Sequence, residues 1–159
     1  ERVSGTPALA VVYPAGTPPD AFWPYRIGAG TASRQWRELG VTDALAANGI
    51  TDAQAGGTTI DYETLLEVDP DAIAVRLQGA GAEAYVRETV LDHLRDHDVA
   101  SRLSAVQDGR VFYGGLTYQG PIISLFQLEA AAQGLYPDAF GDERLFDRKR
   151  VADAINGAL

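Results

Sequence analysis

Residues 60–75, with the sequence IDYETLLEVDPDAIAV, constrain the fold of this chain more than any other segment. Asp61 is placed to cap a short helix, because its carboxylate can accept hydrogen bonds from the free N–H groups of the first turn. Pro70 ends that helix, since it has no N–H to donate and disfavours helical geometry in the residue before it. The apolar run at residues 72–75 is typical of a strand buried on both faces of a parallel sheet. The segment therefore predicts a helix, a tight turn and a buried strand in immediate succession.

The rest of the chain continues this alternation. Further strands are predicted at residues 8–13 and 110–113. The buried strand that begins at residue 72 is predicted to extend to residue 77. Helices or helical turns are predicted at residues 31–39, 42–48, 83–97, 101–106, 121–134 and 142–156, with a turn at 136–140 and a long loop at 14–30. Strands that alternate with helices predict a three-layer α/β/α domain with a mainly parallel sheet. The 159 residues suffice for one domain with its own core.

The charge balance limits the kinds of partner. Acidic residues number 22 against 13 basic ones, of which only Lys149 is a lysine, and the formal net charge is −9. Nucleic-acid binding over a broad surface is disfavoured, because it requires a basic face. The excess of acidic residues is explained either by a need for solubility or by adaptation to high salt. The lack of cysteine excludes disulfides and thiolate chemistry.

Candidate ligand-binding residues follow the predicted strands. In an open parallel sheet, ligands bind beyond the carboxyl ends of the strands, which here lead into residues 14–30, 76–82 and 114–120. These loops contain aromatic, cationic and amide side chains, namely Trp23, Tyr25, Arg26, Arg76, Gln78, Tyr118 and Gln119. Such groups suit an aromatic or anionic, oxygen-rich small molecule. Because paired carboxylates and a Ser/His/Asp arrangement are missing from these loops, they do not suit acid/base or hydrolytic catalysis.

Two other patterns offer weaker hypotheses. Gly28 to Ser33 resembles a glycine-rich anion loop at a helix start, which would fit a small α/β enzyme, although the more ordinary interpretation is a helix entry turn. His93 and His97 have the spacing of paired metal ligands, but a solvated helix surface is the favoured interpretation. Neither a metal nor a cofactor is expected. An interaction domain without any small ligand is a third possibility.

Several segments together resemble one family. They are ALAVVYP, GAGTASRQWRELG, IDYETLLEVDPDAIAV, LSAVQDGRVFY and GPIISLFQLEAAAQGLYPDAF, which span residues 8–140 in the family's order. This pattern resembles the C-terminal lobe of the substrate-binding proteins of ABC transporters that capture iron–siderophores, haem or cobalamin. The third and fourth segments carry the more specific parts of the resemblance.

The resemblance implies a two-lobed, non-enzymatic protein that holds its ligand between the lobes. Residues 1–159 would then be the C-terminal lobe, with residues 1–3 as the end of the helix that joins it to an N-terminal lobe outside this sequence. The implied ligand is a ferric siderophore or a related iron complex, and the implied partners are ABC permease subunits in a membrane. The implied location is extracytoplasmic, with a lipid anchor supplied by a segment outside this chain.

The resemblance also assigns a docking residue. In the family, an acidic residue on each lobe contacts basic residues of the permease, and the matching position in this chain is Glu63. Asp61 is a second carboxylate in the same segment, at a position where the family often has serine. From the residues alone, Glu63 is a negative charge in the first turn of a helix, which the helix dipole favours.

Overall fold

Five strands form one mixed sheet in the computed structural model, which describes residues 5–53, 56–116, 120–141 and 143–157. The strands are β1 (Ala8–Gly16), β2 (Pro19–Tyr25), β3 (Thr42–Asp43), β4 (Ala72–Val75) and β5 (Val111–Tyr113). Their order is β2-β1-β4-β5, and β3 pairs with the first residues of β1. β1 runs parallel to β3 and β4, and β4 runs parallel to β5, whereas β2 is antiparallel to β1.

Helices cover both faces of the sheet, which confirms the predicted three-layer α/β architecture. They are α1 (Arg34–Glu38), α2 (Ala44–Ala47), α3 (Tyr62–Val68), α4 (Ala82–Tyr85), α5 (Leu91–Asp96), α6 (Ser104–Gln107), α7 (Pro121–Leu135), α8 (Pro137–Phe140) and α9 (Arg148–Ile155). A π-helical turn at Val86–Val90 joins α4 to α5, and short 3-10 turns occupy Thr31–Ser33 and Ala100–Arg102. Within the described residues, none of the helices has the length and apolar character that crossing a membrane requires.

Side chains alternate between two cores, one on each face of the sheet. One core contains Ile73 and Val75 of β4 together with apolar residues of α3, α5 and α6, and the other packs Ala72 and Ala74 against Trp36 and α7. All four residues of β4 are fully buried. The burial of β4 on both faces is the pattern that the apolar run at residues 72–75 predicts.

The helix α3 is anchored at both ends by carboxylates. Asp61 caps its start by accepting a hydrogen bond of 2.8 Å from the Thr64 N–H. Asp69 ends it in the left-handed region, with φ of 39°. The Asp69 carboxylate also accepts bonds of 2.8 Å from both the N–H and the hydroxyl of Ser104. The predicted helix, its end and the following strand are therefore confirmed. Asp69, which ends the helix, also joins α3 to the start of α6.

The predicted loop at residues 14–30 is wrong over most of its length. β1 continues through Pro14 to Gly16, and the chain returns as β2 in an antiparallel hairpin, with Tyr13 opposite Trp23 and Val11 opposite Tyr25. Phe22, on the other face of β2, is fully buried and meets the ring of Tyr62 edge-on at 6.0 Å. Proline has no N–H to donate to a hydrogen-bonded strand ladder. The prolines of this segment therefore make its sequence resemble that of a loop.

Three smaller expectations need correction. Asp43, not Thr42, caps α2 by accepting a bond from the Ala46 N–H, because Thr42 lies in the short strand β3. The turn predicted at residues 136–140 contains the one-turn helix α8. The last helix begins at Arg148 and is capped by Asp147, while the predicted cap, Asp142, lies outside the described residues.

Candidate functional site

The hairpin and β4 bring three candidate residues to one face of the sheet. In β1 and β2 the residues of this face include Tyr13, Trp23 and Tyr25, since partners in antiparallel register share a face. Arg76 follows β4 on the same face, two residues after Ala74, and its N–H continues the ladder to the Val12 carbonyl at 2.8 Å. We call Trp23, Tyr25 and Arg76 the aromatic–arginine cluster.

Arg76 is a buried cation. Its side chain is only 3% exposed, and its guanidinium carbon lies 6.0 Å from the centre of the Tyr25 ring, at the outer limit of a cation–π contact. One guanidinium N–H donates to the Leu116 carbonyl, while Nε has no partner among the described residues. Burial lowers the pKa of Arg76, and the nearby Tyr25 and Tyr113 oppose that shift. None of the described carboxylates forms an ion pair with Arg76.

Trp23 is the exposed member of the cluster, with 40% of its surface accessible. Other large apolar side chains that are 38–44% exposed lie on the first turns of α7, namely Ile122, Ile123, Leu125 and Phe126. The second half of α7 is buried against the sheet through Ala131, Ala132 and Leu135. The start of α7 follows the loop after β5, so its exposed side chains lie toward the carboxyl edge of the sheet.

Among the other predicted ligand residues, Arg26 does not join this cluster. Arg26 comes one residue after the Val11–Tyr25 pair, so it lies toward the amino end of β1, and its N–H donates to the Asp52 carboxylate at 2.7 Å. The expectation that Arg26 lies at the carboxyl edge is therefore wrong, because the hairpin carries the chain back along β1. Tyr118 and Gln119 lie outside the described residues.

The segment after β2 does not have the polarity of an anion loop. The N–H groups of Arg26 and Ile27 already donate to the carboxylates of Asp52 and Asp43, at 2.7 and 2.8 Å. The Gly28 and Gly30 carbonyls both accept from the guanidinium of Arg37. The hypothesis of an anion site at Gly28–Ser33 gains no support from these contacts and stays a prediction, and the ordinary helix entry turn is the observed structure.

Glu63 is exposed on the first turn of α3, and its carboxylate has no hydrogen-bond or ion-pair partner among the described residues. Asp61 differs, because its carboxylate is engaged as the helix cap, and the bonds from Thr64 lower its pKa. Of Asp61 and Glu63, Glu63 is the one whose carboxylate is free to meet a cationic partner.

The two histidines are packed more closely than a solvated surface would allow. The ring of His97 lies 4.3 Å from that of Tyr62, and its Nδ1 accepts from the N–H groups of Val99 and Ala100 at 3.2 and 3.3 Å. His93 lies 6.2 Å from His97 between ring centres. Both rings are half-buried, so the prediction of a solvated face is wrong. Among the described residues, no group of three or more histidine or acidic side chains could hold a metal ion.

The supports of Arg76 were not predicted from sequence. The Leu116 carbonyl accepts from both Arg76 and the side-chain amide of Gln127, the latter at 3.3 Å. The Tyr113 hydroxyl donates to the Leu77 carbonyl at 3.1 Å, and burial raises the pKa of Tyr113. Every residue has a backbone carbonyl, so the sequence does not show which of these carbonyls a side chain will contact.

A buried cation beside the half-buried ring of Tyr25 and the exposed ring of Trp23 lies toward the carboxyl edge of this mainly parallel sheet, which is where open α/β domains bind their ligands. The chain belongs to the periplasmic binding protein family, whose model matches residues 6–116. The family resemblance predicted from the sequence is therefore confirmed, and the family is one of binding proteins. A search of curated protein sequences finds no relative of this chain.

Several solved structures share the fold of this chain. A periplasmic binding protein from Veillonella parvula has a TM-score of 0.61 and 17% identity, over 91% of this chain and 41% of its own. The Fe3+-hydroxamate transport protein from Saccharomonospora viridis has a TM-score of 0.56 and 20% identity, over 82% and 42%. The triscatecholate siderophore-binding protein FeuA from Bacillus subtilis, solved with ferri-bacillibactin, has a TM-score of 0.56 and 18% identity, over 86% and 47%. This chain therefore spans less than half the length of these proteins.

Proposed function

We propose that the chain is the C-terminal lobe of the solute-binding component of an ABC import system for a ferric siderophore or a related iron complex. The complex would lie between this lobe and an N-terminal lobe, and a membrane permease would receive it. The location would be extracytoplasmic, with a lipid anchor supplied by a segment outside this sequence. Family membership supports the binding role, and the relatives from Saccharomonospora viridis and Bacillus subtilis support the class of ligand.

The single observation that carries the proposal is the environment of Arg76. A guanidinium that is 3% exposed and has no ion-pair partner among the described residues places a positive charge beneath the Tyr25 ring. Such a charge attracts an oxygen-rich anion to the surface above it, because a low-dielectric surrounding weakens the screening. Exposed Trp23, on the same face, adds a flat surface on which the aromatic or chelate rings of the ligand can stack.

Tryptophan fluorescence gives a direct test of this site. The chain has two tryptophans, and Trp23 is exposed whereas Trp36 is 1% exposed. Titration with a ferric tris-catecholate or a ferric tris-hydroxamate should quench the emission of Trp23, and Trp23→Phe should remove most of that change. Arg76→Met should weaken the affinity by about tenfold or more, equivalent to about 1.4 kcal/mol.

Arg26→Met is the matched control, since Arg26 is an arginine placed away from the cluster. It should leave the affinity unchanged. Equal losses in the Arg26 and Arg76 variants would indicate a general charge effect. Unchanged affinity in Arg76→Met would remove the cluster from the proposed site.

The proposed docking role of Glu63 needs a separate measurement of transport. Glu63→Arg in the two-lobed protein should abolish uptake of the iron complex, since it places a cation against a basic permease surface, and it should leave ligand affinity intact. Asp108→Arg reverses another exposed carboxylate, at the end of α6, and should transport normally. Normal uptake by Glu63→Arg would refute the docking assignment.

A further inference from the structure

The side-chain amide of Gln127 lies beside Arg76 inside the domain. Gln127 belongs to α7 and is only 8% exposed. Its Nε2 donates to the Leu116 carbonyl at 3.3 Å, and a guanidinium N–H of Arg76 donates to the same oxygen. The two side chains therefore meet at one acceptor, although they come from elements that are far apart in the sequence.

Gln127 also packs against the backbone that supplies this acceptor. Gly115 has φ of 81°, in the left-handed region that favours glycine. A Cβ at Gly115 would lie 2.8 Å from the Gln127 side-chain nitrogen. On the other side, a Cβ at Gly114 would lie 3.1 Å from the Ala74 side chain of β4. The loop after β5 is thus held between α7 and the sheet, and a different side chain at residue 127 would move the Leu116 carbonyl.

The amide of Gln127 is a neutral neighbour of a buried cation. Its oxygen does not accept from the guanidinium, since Oε1 of Gln127 and Nε of Arg76 are both buried without a partner among the described residues. A glutamate has nearly the same shape, but it would bring a negative charge to Arg76 and compensate the positive one. Glutamine therefore gives the Leu116 carbonyl a second donor without neutralising Arg76.

We propose that Gln127 is a positioning residue for Arg76, which fixes the guanidinium through the Leu116 carbonyl and leaves its positive charge available to an anionic ligand. This inference rests on the proposed function, in which Arg76 attracts an oxygen-rich iron complex. Gln127 acts through Arg76 and does not itself contact the ligand. Two properties of its side chain then decide the affinity, namely the donor that bonds to Leu116 and the absence of charge.

Two iron complexes of different charge give the test. A ferric tris-catecholate is anionic, whereas a ferric tris-hydroxamate is uncharged, and tryptophan fluorescence follows the binding of either one to the whole chain. Gln127→Glu should weaken the affinity for the tris-catecholate by about tenfold or more, because the new carboxylate pairs with Arg76. The affinity for the tris-hydroxamate should fall by less than about threefold. Damage to the fold alone would not distinguish the two complexes.

Two further variants complete the experiment. Gln133→Glu adds the same charge to the same helix, at a residue whose amide donates to the Glu143 carbonyl at 3.0 Å. It should leave the affinity for both complexes within about twofold. Gln127→Leu is uncharged and of similar size but lacks the donor, and it should weaken the binding of both complexes by about threefold, because Arg76 is less firmly held. Gln127→Leu decides the question if circular dichroism shows that Gln127→Glu does not fold.

Equal losses for the two complexes in Gln127→Glu would overturn the proposal, as would an unchanged affinity in Gln127→Leu. Arg76→Met separates this inference from the proposed function. If Arg76→Met binds as tightly as the unsubstituted chain, Arg76 is not part of the site and both fail. If Arg76→Met binds weakly while both Gln127 variants bind normally, only the positioning role fails.

Discussion

Replacing Arg76 with methionine should cost the fold little while weakening the binding of ligand. A buried guanidinium loses several kcal/mol of hydration. Against this, the charged hydrogen bond to the Leu116 carbonyl contributes about 1.5–3 kcal/mol. The contact with Tyr25, at the limiting distance of 6.0 Å, adds about 0.5–2 kcal/mol. The cost of burial and these gains are therefore of similar size and nearly cancel.

Methionine retains an unbranched apolar side chain, so the packing against Tyr25 survives. We therefore expect the free energy of unfolding to change by no more than about 1 kcal/mol in either direction. The Leu116 carbonyl keeps its bond from Gln127, which limits the loss in the neighbouring loop. A residue that is nearly neutral for stability and needed for affinity has the character of a binding group.

Urea unfolding, followed by circular dichroism, measures this change in stability. The midpoint should move little and the slope should stay constant. Trp36→Ala, at a fully buried position in the α7-side core, is the comparison and should lose about 3–5 kcal/mol. A loss above about 3 kcal/mol in Arg76→Met would refute the reasoning, since it would equal the loss from breaking a buried ion pair.

Two other predictions concern pH and salt. Burial, with a smaller effect of the Asp20 charge, raises the pKa of Tyr62 to about 12. The folded state therefore favours the neutral phenol, and this stabilisation is complete below about pH 10 and is lost as the pH rises toward about 12. Burial also raises the pKa of Tyr113 and Tyr136, but ultraviolet titration should show a tyrosine with a pKa of about 12 that Tyr62→Phe removes; titration of every tyrosine near its ordinary pKa would contradict this. The net charge of −9 predicts a higher melting temperature at about 2 M KCl than at 0.1 M, and an unchanged value would argue against adaptation to salt.

The order of elements could be predicted from sequence because local rules and burial agree in most of the chain. Asp61, Pro70 and the apolar run at residues 72–75 each have one strong local preference, and the fold satisfies all three. The hairpin could not be predicted, because Pro14 and Pro19 lack the N–H that a strand interior uses. In the structure β1 pairs with β4 only as far as Val12, so the strand beyond has one neighbour and can contain proline.

The candidate site was harder to predict than the fold. That Trp23, Tyr25 and Arg76 share one sheet face follows from pairing across the hairpin, which depends on contacts distant in sequence. The burial of Arg76 is a tertiary property, since a charged residue just after a strand is exposed in most proteins. The position of Arg26 also depends on the hairpin, because the pairing of β2 with β1 carries Arg26 toward the amino end of β1.

Because both ends of α3 are anchored, this helix holds the Glu63 carboxylate on a rigid segment of backbone. Asp61 fixes the first turn, and Asp69 ties the last turn to Ser104. A cationic surface that meets Glu63 would immobilise only one side chain, at an entropic cost of up to about 2 kcal/mol, without the further 1–2 kcal/mol for each backbone residue that a mobile segment would add. A small contact area can then give measurable affinity. Such a contact can also dissociate quickly, which the proposed carrier would need in order to return empty for another solute.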